Sequence, residues 1–298
     1  MADDRIAIIF DLDDTLVPDT TSLFLESKGV NVEEFWTKNV GAFLRKGFEP
    51  AHAFLNAFLS IIGDGKPLGE LKVDDLKEFG KEIDRKFFPG IPEALEDLRG
   101  FVNKYEGIDI ELEYYIISGG MEHIMQGSET VKNYFKHFYG SQLGEEENGV
   151  LKYIKRAITF TEKTRFLFEI NKGIIPSQTF KEPYAVNKRK SYEERRIPFE
   201  NMIYLGDGRS DVPAFSLVKK GPADAKGKSG TPIGIFNDSG DKIRSLNALL
   251  QSMEYLKEGR VIGLYVPDYR EGSSLFTMLK GVVLNRCSSI KINKGINY

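Results

Sequence analysis

Apolar residues begin this chain in an unbroken run and then space out. Ile6, Ala7, Ile8, Ile9 and Phe10 are continuous, which predicts a short strand buried on both faces. Between about residues 23 and 88 the interval becomes helical. Phe35, Trp36, Val40, Phe43 and Leu44 recur on one period, and so do Phe54, Leu55, Phe58, Leu59 and Ile62. Asp74, Asp75 and Leu76 open a further helix with Phe79, Ile83, Phe87 and Phe88 on its apolar side. No strand pattern interrupts this section, so it reads as a helical insert whose aromatic stripe is internal core. Pro89-Gly90-Ile91-Pro92 closes it.

The remainder alternates. A helix carrying Leu95, Leu98, Phe101 and Val102 precedes a strand over 110–117, then Ser118-Gly119-Gly120 as a loop. Helical patterns follow over 121–126 and 128–138, then an acidic hairpin tip at 145–149 and extended chain over 151–160. A helix over 161–170 stops at Gly173. Strands are predicted over 201–205, 233–236 and 261–266, and helices to residue 218, over 241–257 and over 275–283. The segment 174–196 is polar and unassigned; 219–231, rich in Lys and Gly, reads as a loop. Alternating strands and helices predict an α/β fold, a Rossmann-like doubly wound parallel sheet with helices on both faces.

Composition narrows the partners. With 41 Lys+Arg against 44 Asp+Glu among 298 residues, the net charge of −3 gives no argument for nucleic acid or an anionic membrane. A single cysteine, Cys287, rules out an internal disulfide framework and suits a reducing compartment. No apolar stretch approaches the roughly 20 residues that span a bilayer, and the first residues lack the basic and long apolar regions of a signal peptide. A soluble cytoplasmic protein is expected. Oligomeric state is not legible.

The chemistry gathers at strand ends. Asp11 and Asp13 leave the first strand with a spacing of two, which puts both carboxylates on one side of extended backbone. Two acids so close repel unless a cation lies between them, so a metal is implied; the plain alternative is an acidic turn. Ser118-Gly119-Gly120 follows the second strand, and Gly206-Asp207-Gly208-Arg209-Ser210-Asp211 follows the strand at 201–205. Ligands of open α/β sheets bind outside the carboxyl ends of the strands, so these groups can share one crevice, with Lys163 joining from a helix start.

These ordered motifs resemble those of the haloacid dehalogenase superfamily of Mg2+-dependent phosphohydrolases, over residues 5 to about 218. The helical insert after the first motif is similar to the cap of the phosphoserine phosphatase-like branch. The resemblance implies a core of 1–16 and 89–298 with a cap of 17–88, and a phosphomonoester hydrolase acting on a small phosphorylated metabolite. It also implies the roles. Asp11 is the nucleophile that forms an aspartyl-phosphate, and Asp13 is the proton shuttle. Mg2+ is held by Asp11, Asp207 and the backbone carbonyl of Asp13. Ser118, Gly119 and Gly120 bind phosphate oxygens, with Thr15 bracing the loop beside them. Lys163 offsets charge, and Asp211 acts behind the metal ligands. Lys172 and Lys188 are rivals for the lysine, and Lys188 lies nearer in sequence to Asp207. Residues 163–173 have the helix phase of the family's lysine motif, which favours Lys163 and makes 174–196 an insertion. A phosphotransferase or mutase on the same scaffold, and a non-catalytic phospho-ligand-binding protein, are the other readings.

Two features stand apart. In that branch an acidic residue soon after the first motif contacts the substrate amine; the matching position here is Thr20, with Asp19 beside it. His52, His123 and His137 are not spaced as a metal site, although His123 lies close enough to Ser118 for a substrate contact.

Overall fold

The first strand, β1 (Arg5–Phe10), lies at the middle of a seven-stranded sheet ordered β4-β3-β2-β1-β5-β6-β7. The others are β2 (Glu111–Met121), β3 (His137–Glu145), β4 (Leu151–Arg156), β5 (Met202–Gly206), β6 (Thr231–Ile235) and β7 (Leu264–Tyr265). All pairings are parallel except that of β3 with the edge strand β4. This is a computed structural model and describes residues 4–221, 228–237 and 242–295.

The continuous apolar run of β1 is explained by two cores. Ile6, Ile8 and Phe10 join one with Leu95, Leu98, Phe276 and Leu279. Ala7 and Ile9 join the other with Phe166, Leu167, Ala214 and Phe215. A strand covered on both faces has no polar side to alternate with.

The insert contains α1 (Thr20–Ser27), α2 (Val32–Glu34), a π-helical stretch (Phe35–Val40), α3 (Gly41–Arg45), α4 (Pro50–Ser60) and α5 (Val73–Glu82). No strand interrupts it. The remaining helices are α6 (Glu93–Asn103), α7 (Glu122–Gly127), α8 (Glu129–Tyr134), α9 (Phe160–Lys172), α10 (Pro176–Lys181), α11 (Val212–Lys220), α12 (Lys242–Lys257) and α13 (Ser274–Asn293). α5 is clamped to α7: a methyl group on Gly80 would overlap the Ile124 carbonyl, and one on Gly127 would overlap that of Lys77. Asp84 then accepts hydrogen bonds from the amides of Glu129 (2.9 Å) and Thr130 (3.2 Å), fixing the end of the insert to α8.

Several elements differ from expectation. Ser118, Gly119 and Gly120 are in β2, not a loop, because the strand runs to Met121 across a register shift against β3. The helix expected over 128–138 is only α8, since His137 already pairs with Tyr115. α13 extends ten residues past 283, and β7 is confined to two residues. The segment 174–196 contains α10 and ends on Arg196, whose guanidinium donates to Glu113 and to the Tyr115 hydroxyl (3.0 Å) at the far end of β2. Of the loop expected over 219–231, residues 222–227 lie outside the described residues, as does Asp241, the expected first residue of the helix over 241–257.

Candidate active site

Register brings the strand ends together. Phe10 pairs with Ile116 of β2 and with Leu205 of β5, so Asp11, Ser118 and Asp207 all lie just beyond one level at the carboxyl ends. The Asp11 amide continues the ladder, donating to Leu205 O at 2.8 Å. From β1 the chain winds outward through β2, β3 and β4, then returns to the other side of β1 for β5. That reversal opens the crevice in which doubly wound sheets bind ligands.

Lys163 enters from α9. Thr159 caps this helix, and Lys163 shares its buried side with Phe166, Leu167 and Ile170. The side chain is 1% exposed, with Nζ 2.9 Å from Asp11 Oδ2 and 2.7 Å from Asp211 Oδ1. Burial alone would drive the amine neutral; Asp11 and Asp211 override it and hold the pKa above its ordinary value. The rival lysines sit elsewhere: Lys188 pairs with Glu182 at 2.7 Å, and Lys172 donates to the Lys188 carbonyl at 2.8 Å.

Asp211 is fully engaged. Besides Lys163, its Oδ1 accepts from the Tyr204 hydroxyl at 2.6 Å, and its Oδ2 from the Gly208 amide at 3.1 Å. Gly206 leaves the space this carboxylate needs, since a Cβ there would strike it. Asp207 accepts no hydrogen bond from any described residue. One oxygen from each of Asp11, Asp207 and Asp211 lies within 4.8 Å of the others. The donor set suits a hard divalent cation. Asp211 carries three donors, whereas Asp11 has one on each oxygen, from the Leu12 amide at 2.8 Å and from Lys163, so Asp207 and Asp11 have the more open carboxylates, with Asp211 behind them.

Asp13 faces another way. Its Oδ1 accepts from the Thr20 amide at 2.7 Å, and Ser118 Oγ donates to its Oδ2 at 3.3 Å. Gly120 is required beside it, since a Cβ would come within 2.5 Å of Asp13 Oδ2. The Gly120 amide donates to Ser118 Oγ at 2.9 Å. Thr15 is fully buried; its Oγ1 has no partner and its carbonyl accepts from Tyr269 OH at 2.8 Å. Asp14, in left-handed backbone at φ 54°, accepts from Asn237 Nδ2 at 2.7 Å.

The carboxyls respond to this crowding. Burial, reinforced by Asp211 and opposed by Lys163, carries Asp11 up to about 7. Burial followed by repulsion from Asp19 carries Asp13 to about 8. Burial and then Asp11 and Asp211 push Asp207 well above the carboxylate range.

Above these residues opens a cleft of about 330 Å³. Asp11, Asp13, Ser118, Gly119, Gly120 and Asp207 line its floor. Thr21, Trp36, Glu49 and Phe54 of the insert face Phe160 of α9 across it. Trp36 belongs to the π-helical stretch, a distortion frequent at functional sites. The pattern of the insert favours core packing for Trp36 and Phe54 over pocket lining, yet both line the cleft, and it points to no role for Tyr204, Glu49, Asn237 or Phe160. None of the histidines lines the cleft; His123 Nε2 is 3.0 Å from the Leu143 carbonyl. Cys287 is buried, its thiol pushed up to about 11 by burial.

No family model matches this chain. An uncharacterized protein of Borreliella burgdorferi is 27% identical over 235 residues, covering 72% of this chain and 78% of that protein. Among solved structures, the unliganded crystal structure of a probable phosphoserine phosphatase from Vibrio cholerae matches with a TM-score of 0.51 and 12% identity, over 97% of this chain and 67% of the other. At that identity the likeness speaks for the fold alone, an α/β fold with a mostly parallel sheet. No helix among the described residues is long and apolar enough to cross a membrane.

Proposed function

We propose that this protein is a Mg2+-dependent phosphomonoester hydrolase of the haloacid dehalogenase type, with residues 17–88 as its cap and a small phosphorylated metabolite as substrate. The observation that carries this reading is the Asp11–Lys163–Asp211 bridge at the floor of a cleft, with Asp13 placed separately beside Ser118.

Lys163 fixes one oxygen of Asp11 and partly neutralises it, which readies the carboxylate to attack phosphorus and form an aspartyl-phosphate. Asp11, Asp207 and the backbone carbonyl of Asp13 would hold Mg2+, which would supply positive charge against the repulsion between carboxylate and phosphate. Ser118 and the Gly119 amide offer hydrogen bonds to phosphate oxygens, while the Gly120 amide, bonded to Ser118 Oγ, holds that hydroxyl in place and Thr15 stays buried behind the loop. Asp13, raised to about 8, is protonated at neutral pH and can give its proton to the leaving oxygen. The resulting carboxylate then takes a proton from the water that cleaves the intermediate. Trp36 and Phe54 limit solvent access from the cap side.

The test is hydrolysis of a generic aryl phosphate by the full chain. Turnover with Mg2+ and its loss after exhaustive chelation are expected; full activity in the chelated protein contradicts the reading.

A further inference from the structure

The outer half of the cleft has a composition that phosphomonoester hydrolysis alone does not require. Trp36 and Phe54 lie with ring centroids 5.6 Å apart and planes 30° from parallel, forming a broad aromatic face. Trp36 is held in place by its Nε1, which donates to Ser22 Oγ at 3.0 Å. Phe160, 42% exposed, supplies an aromatic surface from the other wall.

Glu49 stands between these walls in an unusual condition. It occupies the N-cap of α4, yet its side chain caps none of the helix's backbone amides, and Pro50, the first helical residue, has no N–H to offer. Glu49 Oε2 is 3.1 Å from His52 Nδ1, whereas Oε1 is shut off from solvent without any partner. The Glu49 side chain is 36% exposed as a whole, so only this covered oxygen lacks a donor, and a covered carboxylate oxygen is normally satisfied. Asp19 adds a second acid to the lining. Among the described residues that line the cleft none is Lys or Arg, and Lys163 beneath the floor is committed to two carboxylates.

Resting on the phosphatase reading, we propose that this outer half binds the cationic end of an amino-alcohol phosphomonoester, a primary or quaternary ammonium. The ammonium packs against Trp36, Phe54 and Phe160, with Glu49 and Asp19 as its counter-charges. Aromatic faces attract alkylammonium through the ring quadrupole, and an adjacent carboxylate adds to that attraction. A leaving group with a carboxylate of its own meets acids and no cation here, so phosphoserine finds a partner for its amine and none for its carboxylate. A cleft of about 330 Å³ is at the small end of ligand sites and suits a phosphate with a short chain.

Trp36 is the only tryptophan in the chain, so intrinsic fluorescence reports on this subsite directly. With Mg2+ saturating, the full-length protein is titrated with trimethylammonium-propyl phosphonate, which cannot be hydrolysed, and with the neutral isostere in which carbon replaces the ammonium nitrogen. We expect a saturable fluorescence change with the cation at least about tenfold tighter than with the isostere. In Glu49→Gln the ratio between the two falls toward one. Equal affinity for the two phosphonates, or no change with the cation, overturns the subsite whether or not the protein is a hydrolase.

A turnover panel of aminoethyl phosphate, choline phosphate, glycerol phosphate and phosphoserine separates the two claims and distinguishes primary from quaternary ammonium. We expect kcat/KM to favour a cationic ester over glycerol phosphate and phosphoserine by about tenfold or more. Faster turnover of the neutral or anionic esters removes the subsite and leaves the phosphatase. Preferential binding of the cationic phosphonate with no ester hydrolysed keeps the subsite and removes the phosphatase.

Discussion

Lys163 Nζ lies 2.9 Å from Asp11 Oδ2, so a buried ammonium is fixed against the proposed nucleophile before any substrate arrives. The same nitrogen reaches Asp211 at 2.7 Å, and both partners are almost wholly buried.

Replacing this cation therefore leaves three crowded acids without their compensating charge. Lys163→Met is expected to lower kcat for an aryl phosphate by about 100-fold or more. It should also cost about 3 kcal/mol of stability at pH 7, because a buried charge that loses its partner is strongly destabilising. Protonation of the acids relieves that cost, so the stability gap to the unmodified protein should narrow at pH 5. Urea unfolding at both pH values checks this; an equal gap at the two contradicts it.

The acids themselves should make the metal-free protein less stable as pH rises. In the unfolded chain these carboxyls release protons near pH 4, whereas the folded protein holds Asp11 to about 7 and Asp13 to about 8. Between those limits the folded state binds more protons, so stability declines with increasing pH, by up to about 1.4 kcal/mol per unit for each proton retained. On the proposed function Mg2+ would displace the proton held by Asp11, so its stabilising effect should grow over the same interval. Thermal unfolding with Mg2+ and with chelator, from pH 5 to pH 8, measures both trends. A flat profile with a constant Mg2+ effect contradicts them.

The contact between insert and core is steric and should tolerate no added carbon. Gly127→Ala places a methyl group on the Lys77 carbonyl and should destabilise the protein by about 2 kcal/mol or more. Gly100→Ala, in α6 with open space around its Cβ, is the control and should be neutral or slightly stabilising. Comparing their urea midpoints decides the point.

Much of this arrangement was legible in the chain because strand ends carry it. The run from Ile6 to Phe10 dictated a strand buried on both faces, and parallel register then put Asp11, Ser118 and Asp207 together. Lys163 was legible only through the resemblance, since residues 163–173 share the helix phase of the family's lysine motif, and its burial beside Phe166, Leu167 and Ile170 fits that phase. The Gly119-Gly120 pair misled, because both lie in β2 and Gly120 clears space for Asp13 instead of making a turn. Tyr204 looked like one more core residue, since only the fold brings Asp211 to its hydroxyl. The pairing of Asn237 with Asp14 spans 223 residues, and local pattern contains no trace of it. The rest of α13 was hidden by polar residues after 283, although Val283, Cys287 and Ile290 continue its buried stripe.

The central claim is that Asp11 carries the phosphoryl group during turnover, and it can be read on that residue. The protein is mixed with Mg2+ and excess aryl phosphate, quenched in acid within the steady state, digested, and analysed by mass spectrometry. The account predicts that the peptide containing Asp11 gains the mass of one phosphoryl group, and that Asp11→Asn shows neither the adduct nor turnover. Continued turnover by Asp11→Asn, or steady hydrolysis with the phosphoryl group trapped on another residue, would contradict it.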